Sequence, residues 1–225
     1  MNAPSDRSVI GRHLDPAESL GEILFGLIMV LTFTVGARLL TARDALDGRE
    51  IAVAAVGCNI AWGIIDAALF VLGSLYHRSR RMRLVRAVQG AASEAEALAL
   101  IRRDFGLEDA AVAVSADDQS RFHQAVLAVA AHASPARAGL RRGDIAAALV
   151  VFLLVAATAL PGVIPFVVIA DPDVALRVSN LVLVLLLFVT GYVWAHCTDA
   201  SPWQVGLTVM LLGVLMVGVA VALGG

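Results

Sequence analysis

Residues 51–76, IAVAAVGCNIAWGIIDAALFVLGSLY, are an apolar run of twenty-six residues with one formal charge, Asp66, and one side-chain amide, Asn59. About 20 such residues cross a bilayer as a helix, so the run reads as a membrane span with length to spare. Lipid offers no partner to a backbone N–H or C=O, and a single apolar run of this kind satisfies them only as an α-helix. Asp66 stands about ten residues from the C-terminal end of the run, roughly 15 Å deep at about 1.5 Å per residue. A carboxylate at that depth costs at least ~2.5 kcal/mol on insertion scales and therefore faces protein or water, not lipid. Asn59, Trp62 and Asp66 are spaced three and four apart, which sets all three on one helical face.

Four further apolar runs accompany this one, at about residues 20–40, 144–170, 174–197 and 203–223. The chain of 225 residues is 59% hydrophobic, well above the level of a soluble globular domain. The fold class expected is an all-α integral membrane protein with five transmembrane helices and a cytosolic helical insert between helices 2 and 3. Its parts are a polar N-terminal tail over 1–19, spans 1 and 2 over 20–76, the insert over 77–143, and spans 3 to 5 over 144–225. The tail lacks the charged start, apolar core and cleavage site of a secretory signal. Asp15-Pro16 reads as a helix-entry pair before span 1, and Arg38 sits near enough to the far end of that span to snorkel.

The insert is a different material. All 17 basic residues of the chain are arginine, and eleven of them lie in 77–143 against seven acids. Such an excess beside a membrane helix marks the cytoplasmic side. With five spans this places the N-terminus in the cytoplasm and the C-terminus outside, in the cell's inner membrane. The insert reads as three helical pieces: one from Met82 to Gln89, one after a Ser93–Glu96 capping box, and one over 117–133. Gly90, Gly106 and Ser134-Pro135 separate them.

Depth along the spans orders the polar groups. Glu22 lies near the inner surface and Asp66 near the middle. Asn59, Pro161 and Asn180 lie at a similar height in the outer third. Pro161 and Pro165 leave the carbonyls of Ala157 and Pro161 without intrahelical donors, and in lipid those oxygens need other partners. Gly63 and Ala67 form a small-xxx-small pair that admits a close neighbouring helix. Carboxylate, carbonyl and amide oxygens together suit hard cations and proton relays. The alternative for Asn59 and Ser179-Asn180 is plain interhelical hydrogen bonding, worth about 0.6 kcal/mol each.

Five spans with an Arg- and acid-bearing insert after the second resemble the vacuolar iron transporter (VIT) family. The run TALPGVIPFVV is similar to that family's Pro-containing third span, and GLTVMLLGVLMVGVAVALGG to its glycine-bearing fifth. The resemblance implies a divergent member, a homodimer that exchanges Fe2+ or Mn2+ for protons. Acidic and Met residues of spans 1 and 2 would then line the path: Glu22, Met29 and Asp66, with Asn59 beside them. Glu22 and Asp66 would be the metal-contacting pair. The family's first span carries FG and then an Asp-Gly pair, whereas FGLIMVL has Met29-Val30 there. Asn59 or Asp66 is the counterpart of the glutamate usual in its second span. The acids Glu94, Glu96, Glu108, Asp109, Asp117 and Asp118 are too scattered for the repeated glutamates of a metal-binding insert.

No permanently bound cofactor is expected. Cys58 and Cys197 form no metal-ligand spacing, and no HExxH, P-loop, nucleophile elbow or dinucleotide fingerprint occurs. His123 and His132 fall on opposite helical faces, which speaks against an enzyme. The basic residues sit at a membrane surface, not in a nucleic-acid patch. Two functions compete: a cation or proton transporter, and a membrane-anchored scaffold or regulator. In the second, the arginine-rich segment 77–143 would meet anionic lipid or a cytosolic partner.

Overall fold

A computed structural model describes residues 16–40, 47–106, 114–134 and 139–223, apart from the side chains of residues 16, 17, 37–40, 220 and 221. Asp15, residues 41–46, Glu108, Asp109, Pro135 and the Arg38 side chain therefore lie outside the described residues. Those described are helical, with no strand among them. The helices are α1 (Pro16–Leu40), α2 (Gly48–Gln89), α3 (Glu94–Asp104), α4 (Ala116–His132), α5 (Arg142–Ala157), α6 (Ala159–Val168), α7 (Pro172–Trp194) and α8 (Pro202–Ala222). A short 3-10 turn, Ala195–Cys197, follows α7. Among the described residues five segments are long and apolar enough to cross a membrane: Glu18–Gly36, Gly48–Gln89, Arg142–Val168, Pro172–Cys197 and Pro202–Val219.

The chain divides into two compact units, one comprising Val71–Arg141 and the other the chain on either side of it. In the flanking unit, α7 packs on α1, α6 and α8, and α1 packs on α5 and α8. Leu27, Val30, Leu31, Ala159, Leu183 and Leu187 form its core. Two glycines allow the tightest approach. A Cβ on Gly191 would meet the Val209 side chain at 2.7 Å, and one on Gly206 the Phe188 ring at 2.8 Å, so α7 and α8 touch nearly backbone to backbone. On the outer side Ile145, Leu149, Leu153, Leu160 and Ile164 are each more than half exposed. A continuous apolar stripe of this kind is stable against lipid, not water.

Span 3 breaks in two at Thr158, between α5 and α6. Pro161 cannot donate to the Ala157 carbonyl, so the ladder ends there. In α6 the same proline falls in the first turn, where N–H groups have no intrahelical partner in any case. Pro165 stays inside α6. Asp171 caps α7, its Oδ1 accepting from the Val174 N–H at 3.0 Å.

In the Val71–Arg141 unit the end of α2 packs with α3 and α4 around Val88, Ala97, Ile101 and Ala130. The segment Met82–Gln89 is not a separate helix: α2 continues unbroken to Gln89. No glycine or proline interrupts it between Gly73 and Gly90, and the helical repeat simply carries on. Ser93 caps α3 by accepting from the Glu96 N–H at 3.2 Å, while Glu96 reaches back to the Ala92 N–H at 2.8 Å. Ser115 caps α4 in the same way through the Asp118 N–H. The Gln89 amide donates to the carbonyls of Ala130 and Ala133 at 2.9 and 2.7 Å, tying α2 to the end of α4.

Candidate functional site

On α2 a stripe at spacings of three and four, Ala52, Ala55, Asn59 and Gly63, turns inward. Gly63 lets α5 approach, since a Cβ there would stand 3.1 Å from the Phe152 carbonyl oxygen. One turn further along this face, Asp66 meets α1. Glu22 and Asp66 line a single open cavity of about 400 Å³ together with Glu18, Gly21, Phe25 and Phe70. One Asp66 carboxylate oxygen, Oδ2, is shielded from solvent and accepts no hydrogen bond. Phe25 and Trp62 close edge to face at 5.7 Å beside them.

The sequence reading put Glu22 and Asp66 at separate depths, yet the structure brings them to one cavity. It also adds Glu18, which that reading passed over. The signal was available, because Glu18 and Glu22 are four apart on α1 and share a face. Met29 is half-buried on the same helix but does not line the cavity.

Asn59 belongs to a second cluster. It is wholly buried, and its Nδ2 donates to the Val155 carbonyl and to Thr158 Oγ1, both at 3.0 Å. Thr158 in turn donates to the Val155 carbonyl at 2.6 Å. Asn59 Oδ1 has no partner. Gly26 of α1 completes the cluster, because a Cβ there would fall 2.1 Å from Thr158 Oγ1. The break in span 3 is thus held from α1 and α2 together. Pro161 is half-buried one turn beyond it.

Asn180 meets neither of these groups. Its Oδ1 accepts from Thr34 Oγ1 at 2.8 Å, while Ser179 donates to the Gly162 carbonyl at 2.6 Å. Asn59 and Asn180 therefore bond to different helices, each in an interhelical contact. Among the described residues no three His, Cys, Asp or Glu side chains converge closely enough to hold a metal ion. His123 is buried with Nε2 at 3.1 Å from the Phe105 carbonyl, and His132 Nδ1 lies 2.9 Å from the Ala128 carbonyl.

The model of the VIT family matches residues 74–225, two thirds of the chain. The chain belongs to the VIT family. No curated protein matches it significantly. VIT-family proteins are typically metal-ion transporters rather than enzymes. The match covers most of the Val71–Arg141 unit and all of α5 to α8. It begins after the residues that furnish Glu18, Glu22, Met29, Asn59 and Asp66. In this VIT-family chain the acidic cavity therefore rests on its own geometry.

Proposed function

We propose that this VIT-family protein moves a divalent cation, Fe2+ or Mn2+, across the cell's inner membrane in exchange for protons. The observation that carries this reading is the shared cavity of Glu22 and Asp66. Two carboxylates in one membrane-embedded recess are costly unless they serve a cation or a proton. Their hard oxygens match Fe2+ and Mn2+.

Asp66 is the central ligand and proton carrier, Glu22 the inner gate, and Glu18 the residue at the mouth. Asn59, Pro161 and Asn180 supply oxygens further out, with Met29 beside the path. An octahedral ion takes roughly six ligands, more than these three acids offer with one oxygen each, so water and a second copy in a homodimer complete the set. The arginine-rich 77–143 segment faces the cytoplasm, with the N-terminus inside and the C-terminus outside.

Uptake of Fe2+ and Mn2+ into proteoliposomes tests the proposal, with Asp66→Ala as the decisive variant. Loss of uptake in that variant supports it, and uptake unchanged by the substitution removes the central claim. A second reading, a membrane-anchored scaffold with the same fold, draws on the interhelical bonds of Asn59, Ser179 and Asn180. It gains if the purified protein carries neither ion.

A further inference from the structure

The Val71–Arg141 unit contains an apolar trough that its own three helices do not fill. Val88, Ile101 and Ala130 form a buried floor, and Leu84 and Val126 form its sides. Phe105 and Phe122 meet edge to face at 6.1 Å and stand 38% and 40% exposed. The trough is open along one side and offers about 380 Å³. Along α4 it follows residues 122–133, a length of about 16 Å at about 1.5 Å per residue.

Among the described residues one cation lines it. Arg81 precedes Leu84, Val85 and Val88 on the same face of α2, so it stands at one end of the stripe. The neighbouring Arg80 is occupied by Asp104. Among the described residues no carboxylate pairs with Arg81. An exposed guanidinium at the end of an open apolar trough favours an occupant with one anionic end and a long apolar body.

Size narrows the choice further. The volume lies at the small end of ligand pockets, which run from about 300 to 1,000 Å³. A single narrow chain can lie along a trough of that volume with its acid end at Arg81. Guanidinium pairs bidentately with carboxylate. We infer that the trough between α2, α3 and α4 binds one long-chain fatty acid, its carboxylate on Arg81 and its chain over Ile101 and Ala130.

The test is photolabelling of the full-length protein in nanodiscs of zwitterionic lipid. The probe is palmitate carrying a diazirine on its chain, and labelled peptides are mapped. The expected label falls within residues 81–88 and 122–133 and is competed by palmitate far better than by hexadecanol. Arg81→Glu lowers labelling there about ten-fold, equivalent to ~1.4 kcal/mol. Ala125→Trp, which fills the trough from an exposed position, abolishes it. Label confined to the membrane-spanning peptides overturns the inference. So does equal labelling of Arg81→Glu and the parent protein, or equal competition by the alcohol.

Discussion

The Asn59 side chain of α2 donates to the Val155 carbonyl of α5 at 3.0 Å, from a position with no solvent exposure. The same amide nitrogen reaches Thr158 Oγ1, the residue at which span 3 breaks. A helix interrupted ahead of Pro161 is thereby pinned from a neighbouring span. The pin leaves α6 free to start afresh, with its proline in the first turn.

Replacing Asn59 by Ala removes both bonds and leaves the Val155 carbonyl with the hydroxyl and the backbone N–H of Thr158. Interhelical bonds in membranes average about 0.6 kcal/mol and reach ~1.7, so Asn59→Ala is expected to cost about 1–2 kcal/mol. Thermal unfolding in detergent should show a lower midpoint. An unchanged midpoint would show that the pair carries no net stability.

Gly26 and Thr158 are expected to be coupled. Gly26→Ala drives a methyl into the Thr158 hydroxyl, which the chain relieves only by moving α1 away, at about 1–3 kcal/mol. Thr158→Ala in the same protein should recover part of that loss, since the hydroxyl is the nearer obstacle. A residual penalty remains because the Val155 carbonyl also stands 3.2 Å from the added carbon. Strict additivity in a double-mutant cycle would refute the contact.

Glu22→Gln and Asp66→Asn keep side-chain size while removing charge. Under the transport reading each lowers ion uptake roughly ten-fold or more, and the double variant is little worse than the weaker single, as for groups acting as a unit. Met29→Leu, outside the cavity lining, should change uptake less than either. Uptake data on the four proteins decide between this pattern and independent effects.

In the Val71–Arg141 unit, burial outweighs charge. Ile101 has no exposure, and Ile101→Ala should cost ~3 kcal/mol through lost contacts and the cavity left behind. The Arg80–Asp104 pair is 56% and 26% exposed, so Asp104→Asn should cost under ~1 kcal/mol. Hydrogen exchange of the α3 and α4 amides in the full-length protein separates the two outcomes.

The sequence by itself determined the five apolar segments, since lipid forces each long apolar run to satisfy its own backbone. It also determined the α3 cap, which acts within three or four residues, and the inward face of α2 that holds Asn59 and Asp66. Helical periodicity says which face a residue occupies, but not which helix lies opposite. Only the tertiary structure set Glu22 and Glu18 across from Asp66, gave Asn59 to Thr158, and sent Asn180 to Thr34. Composition likewise does not tell that α2 runs on past Tyr76 to Gln89, because a change from apolar to arginine-rich residues does not stop a helix whose backbone meets no breaker before Gly90. These pairings depend on how closely glycines such as Gly26 and Gly63 let the helices approach, a distance that no local pattern encodes.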